Sequence, residues 1–224
     1  MGKALRYLLR VYVLTTVGSM AAIAAIAVAG ACLFRVEMFA MYYAMLPMFA
    51  IIFLVIYGFT LTTQYQRTAL TFGCRRADYF WAAQAAFLLC ASAVAAVMAL
   101  AGWLPSLLPG GYYIGEDAAF LGPDGVPVWF ALPALGTLGL LMLLLQPMGA
   151  AMGALYGRSK GWGSACLIVV MLVMTALSAV SLFVMDGTIP ISGGVVAGVL
   201  AGVAGAALLC DFYFYRSNAR AVVR

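Results

Sequence analysis

The chain has 224 residues, 67% hydrophobic and 8% charged, with a mean hydropathy of +1.10 and a formal net charge of +5. A charged fraction so far below the ~25% of ordinary soluble domains excludes a water-soluble globular protein and points to an integral membrane protein. The lack of histidine excludes a Ser-His-Asp triad, an HExxH zinc site and His-based acid–base chemistry, and there is no G-x-x-x-x-G-K-[ST] phosphate loop for ATP.

Lys3, Arg6 and Arg10 open the chain at i, i+3 and i+7, with Leu5, Leu8 and Leu9 beside them. This pattern suits either a helix lying along the membrane interface or plain positive flanking charge before a span. Six apolar stretches follow, each long enough to cross a ~30 Å hydrocarbon core. They fall at about residues 11–34, 38–62, 80–103, 128–154, 164–185 and 191–212. Lipid offers the backbone no hydrogen-bond partners, and the stretches exceed barrel strands in length and lack strict alternation. The expected fold is therefore all-α, a single domain of six transmembrane helices. The first stretch reads as an uncleaved span, although it ends Ala29-Gly30-Ala31-Cys32, loosely like a lipoprotein cleavage site.

A tight outer turn at 34–37 leads to the second span, and an inner loop, 63–79, separates it from the third. In that loop 68–72 reads as a short amphipathic helix and Gly73 permits a break. A long outer loop at 105–127 carries Pro-Gly-Gly and Gly-Pro-Asp-Gly turn signals. Pro133 and Pro147 are expected to disrupt the fourth span locally. A second inner loop, 155–163, contains Arg158 and Lys160. Six spans put both termini on one face, and that face holds all of the 12 basic residues but Arg35, so both termini are expected in the cytoplasm. Tyr7, Tyr12, Tyr79, Trp81, Trp162, Tyr213 and Tyr215 would mark the inner boundary, Trp103, Tyr112, Tyr113 and Trp129 the outer one. The positive charge is thus a topology signature and implies no nucleic-acid partner.

Small residues every fourth position offer close-packing faces. Gly149, Gly153 and Gly157 form one ridge in the fourth span, and Gly194, Gly198 and Gly202 another in the sixth; Ala91, Ala95 and Ala99, and Ala21, Ala25 and Ala29, form weaker ones. Each suits packing within the chain or against a second subunit. Gln84 and Gln146 are the polar side chains at depth, suited to interhelical hydrogen bonds or to lining a path. No carboxylate occupies the middle of a span, which disfavours an ion-coupled carrier. The five cysteines lack metal-ligand spacing, so neither a metal site nor a disulfide is expected.

The string ALTFGCRRADYFWA resembles the first cytoplasmic loop of permease subunits of ABC transporters of the type 2 exporter class. In that family an A-L-x-x-G-x-x-R-x-x-[FY]-F pattern precedes the third span, matched here by Ala69, Leu70, Gly73, Arg76, Tyr79 and Phe80. The six-span layout, the basic amino-terminal segment, the short second inner loop and the missing ATPase motif are similar to that family across nearly the whole chain. The family's larger outer element before the last span has no counterpart; the longest outer loop precedes the fourth span instead. The resemblance implies a non-enzymatic permease subunit of an exporter in the cytoplasmic (inner) membrane. A separate ABC ATPase subunit would bind ATP and Mg and seat the coupling loop in a groove, and a second permease, in a homo- or heterodimer, would help enclose the path. The coupling loop would comprise Arg67, Leu70, Phe72, Gly73, Arg75, Arg76, Asp78 and Tyr79, with Arg158 and Lys160 in a second contact. Composition alone also admits a membrane-embedded substrate-binding subunit of a vitamin or metal importer, or a non-transporting scaffold.

Overall fold

The computed structural model describes residues 2–30, 42–43, 45–104, 132–166, 168–170, 172 and 193–220. Among these every regular element is a helix. Five helices are long and apolar enough to span a membrane, which makes this a multi-pass membrane protein. They are α1 (Gly2–Ala29), α2 (Leu46–Thr71), α3 (Arg76–Trp103), α4 (Leu132–Arg158) and, last in the chain, α6 (Gly193–Arg220). A shorter apolar helix, α5 (Lys160–Val170), overlaps the stretch at 164–185 where a further span was expected. The rest of that span, the outer turn at 34–37 and the outer loop at 105–127 lie outside the described residues.

The segment before the first span does not fold away along an interface. Gly2 to Ala29 is one helical run, interrupted only by a π-helical turn at Leu9–Val13. Ala4 and Leu8 are buried, so the basal turns pack on the bundle while Lys3, Arg6 and Arg10 face outward.

The second span likewise does not stop at residue 62. It continues through a π turn, Leu61–Tyr65, to Thr71. The extension is amphipathic: Gln66 and Ala69 turn inward, Gln64, Arg67 and Thr71 outward. With no Gly or Pro among these residues, each further turn adds backbone hydrogen bonds at little cost. The expected inner loop of 63–79 shrinks to residues 72–75.

At the centre of the bundle α4 packs against α2, α3 and α6. Pro133 falls in its first turn, where a missing N–H is harmless, and the helix runs on through Pro147. Glycines set the closest approach. A Cβ on Gly149 would strike the Val55 carbonyl, one on Gly153 the Thr62 hydroxyl and the Phe59 carbonyl, and one on Gly58 the Gln146 carbonyl. Their order shows that α2 and α4 run in the same direction. Gly157, the third member of that ridge, has open space beyond it, as do Gly198 and Gly202 on α6.

A buried polar node joins three helices at this depth. Tyr12 donates from its hydroxyl to Gln146 Oε1 at 2.8 Å, and Gln146 Nε2 donates to Phe87 O at 3.0 Å. Tyr12 and Tyr79, expected at the inner boundary, are instead fully buried. Each ring fills the core because its hydroxyl finds an acceptor, Gln146 for Tyr12 and the Leu61 carbonyl for Tyr79. Trp81, Trp103, Trp162 and Tyr215 are exposed.

Candidate docking site at the basic end of the bundle

One end of the bundle gathers the start of α1, the α2–α3 turn and the end of α6. The Arg76 guanidinium donates from Nη1 to Ala219 O at 3.0 Å, and a cleft of about 370 Å³ lies between Gly2, Lys3, Ala4 and Gly73, Cys74, Arg75, Asp78. The end of α4 lies at this end too, because α4 runs with α2 and Tyr156 packs edge-on to Phe59 at 5.4 Å. Lys3, Arg6, Arg67, Arg75, Arg76, Arg158, Lys160 and Arg216 are all exposed here.

The turn itself follows from its sequence. Helix α2 ends in a Schellman arrangement: Cys74 N donates to Ala69 O at 3.1 Å and Gly73 N to Leu70 O at 3.0 Å. That closure needs a left-handed residue, and Gly73 supplies it with φ +79°. Cys74 and Ala69 pack inward as the arrangement favours. Arg75 is extended, at φ −68° and ψ 142°, and α3 starts at Arg76 with Asp78 in its first turn, where a carboxylate suits the positive end of the helix dipole.

The residues named from the sequence therefore divide. Arg67, Phe72, Gly73, Arg75 and Arg76 are exposed, Phe72 by 75%, so a large apolar ring stands in the middle of a cationic surface. Leu70 and Asp78 are half-buried at its edge. Tyr79 is inside the bundle, donating to Leu61 O at 2.8 Å, and cannot itself present a surface. It props the turn from within. Arg158 and Lys160 flank a break of one residue, Ser159, between α4 and α5, and Trp162 beyond it is 71% exposed. Gly163 is held there because a Cβ would meet the Tyr156 backbone.

Two polar residues that the sequence did not single out tie this surface down. Gln66 Nε2 donates to Asn218 Oδ1 at 2.6 Å, and Asn218 Nδ2 donates to Arg76 O at 2.7 Å. Further in, Gln84 donates to the Asp211 carboxylate, joining α3 to α6. Only the burial of an amide marks Gln66 and Asn218, and no spacing in the sequence announces it. Among the described residues no group of three His, Cys, Asp or Glu side chains lies close enough to hold a metal ion. What the surface offers is a cationic, aromatic-tipped projection on a hydrogen-bonded turn. Comparison of the chain with family models, with curated proteins and with solved structures finds no match in any of the three.

Proposed function

We propose that this chain is the transmembrane permease subunit of an ATP-driven exporter of the ABC type, with the basic end of the bundle in the cytoplasm. The observation that carries the reading is the α2–α3 turn: Phe72 stands out from a surface bearing Arg67, Arg75 and Arg76, on a backbone fixed by Gly73. A projection so placed on a membrane protein suits the groove of a soluble partner. The ALTFGCRRADYF string, with its likeness to a permease coupling loop, supports an ATPase as that partner. In this reading ATP and Mg bind and react in the partner, and this chain performs no catalysis. Closure of the partner loads the turn, and the packed helices shift between two arrangements that open the path to alternate sides. Arg158, Lys160 and Trp162 supply a second contact. A second permease subunit would complete the path, and the open space beyond Gly198 and Gly202 is where it would close on α6.

The test is co-expression with an ABC-type ATPase from the same genome, chosen from beside this chain where one is encoded there, followed by purification in detergent. Arg75→Glu/Arg76→Glu is expected to lower recovery of the ATPase at least tenfold, because reversed charges across an interface repel as well as lose attraction. Recovery of equal amounts with normal coupled ATP hydrolysis would sink the docking assignment. A tightly held small molecule on the isolated chain would instead favour the importer-type binding subunit.

A further inference from the structure

Gln66 and Asn218 lie 152 residues apart in the chain, yet both are buried, at 8% and 2% exposure. Asn218 uses both ends of its amide. Its Oδ1 accepts from Gln66, just before the turn, and its Nδ2 donates to Arg76 O, just after it. Arg76 then reaches back along its own side chain, Nη1 donating to the Ala219 carbonyl near the end of α6. Lys or Arg so placed also complements the negative end of a helix dipole. A single residue of α6 thus holds both feet of the α2–α3 turn.

The contact matters more because α6 is the least embedded of the spanning helices. In its most apolar window 11% of residues are buried, against 33–56% in the other four. Its apolar side chains are therefore less covered than those of the other four, and its close approach is mainly to α4 rather than to α3. The described seam between α3 and α6 includes the Asn218 contacts, Arg76 on Ala219 O, Phe80 against Phe214 and Tyr215 at 5.5 and 5.1 Å, and Gln84 with Asp211.

We propose that Asn218 is a positioning residue that clamps the α2–α3 turn to the end of α6, so that turn and helix end move as one body. A load applied at Phe72 then passes straight to α6 as well as along α2 and α3. The clamp stands on the hydrogen-bond geometry; only the delivery of load rests on the docking reading above.

Hydrogen exchange of the purified full-length chain in detergent, followed by mass spectrometry, tests the clamp with no partner present. In the native chain segments 66–76 and 214–219 are expected to lose protection together, as one opening unit. Asn218→Leu removes both amide bonds at similar side-chain volume. Exchange in 66–76 should rise about tenfold and separate from that of 214–219, while α1 and α4 stay unchanged. The exchanged pair Gln66→Asn/Asn218→Gln keeps the combined reach of the two amides and should restore joint protection. Unchanged exchange in Asn218→Leu, unrelated rates in the native chain, or a swapped pair as fast as Asn218→Leu would each overturn the proposal. Should Asn218→Leu lose its helicity, Gln66→Leu takes its place; it breaks the α2 foot alone, so faster exchange is expected around residue 66, and its absence is equally decisive. A clamp confirmed here alongside normal ATPase recovery from Arg75→Glu/Arg76→Glu would reject docking and keep the clamp, so the two ideas fail separately.

Discussion

A methyl group at Gly153 would run into the Thr62 hydroxyl and the Phe59 carbonyl, whereas one at Gly157, a single turn further on, would meet nothing. Both belong to the same four-residue repeat, so spacing made the ridge visible without saying which of its members carry the contact. The partner decides that, and the partner, the 55–62 stretch of α2 with its own Gly58, lies some ninety residues away. Thr62 donates to Ala150 O at 3.0 Å across the same approach, which fixes the separation of the two backbones. Gly153→Val should therefore cost about 2–3 kcal/mol through overpacking, and Gly157→Val less than about 0.5 kcal/mol, as at other exposed positions. Reversible unfolding in mixed detergent micelles measures both; equal losses would show that the α2–α4 contact is misplaced. Tyr12 and Tyr79 teach a related lesson. A tyrosine near a span end suits the membrane boundary, but a buried acceptor for its hydroxyl makes the core equally good, and such acceptors are supplied by distant segments.

At the level of elements, hydrophobic length made five of the six expected spans legible, because about twenty apolar residues in lipid have no alternative to a helix. Where the helices end was not legible. Residues 63–71 look like loop by polarity, yet Gln66 and Ala69 recur on one face and let α2 continue as an amphipathic helix beyond the apolar stretch. Gly73 was legible as the break because the left-handed turn after a helix favours glycine. Helix-to-helix polar contacts were legible only in kind: Gln146 is an unusual residue to find at depth, but its partners Tyr12 and Phe87 sit on two other helices. The node makes a specific prediction. Tyr12→Phe strands the Gln146 carbonyl and Gln146→Leu strands the Tyr12 hydroxyl, each at about 1–2 kcal/mol. The double variant leaves neither group stranded by the other, so its loss should be no larger than that of Gln146→Leu alone and well below the sum of the two. A full double-mutant cycle by unfolding in micelles checks this, and strictly additive losses would mean that the two side chains do not interact.

For the whole molecule, the arrangement separates an apolar body from one cationic end. The described amino-terminal residues, the α2–α3 turn, the end of α4 and the end of α6 meet there, and Asn218 binds the turn to α6. Charge asymmetry foretold that these segments share a face, since Arg67, Arg75, Arg76, Arg158 and Arg216 all flank the same ends of apolar runs. It did not foretell how the turn is tied to α6, because that tie comes from contacts between residues 66, 76 and 218. The central claim is that this end seats an ATP-hydrolysing partner through Phe72. Photo-crosslinking in intact cells tests it most directly, with a benzophenone amino acid placed at Phe72 and, as the control, at Trp103, which is 59% exposed at the opposite end. The account predicts a crosslink from position 72, and none from position 103, to a soluble protein whose sequence contains a G-x-x-x-x-G-K-[ST] loop. Crosslinks from position 72 to lipid alone, or equally from both positions to the same protein, would contradict it.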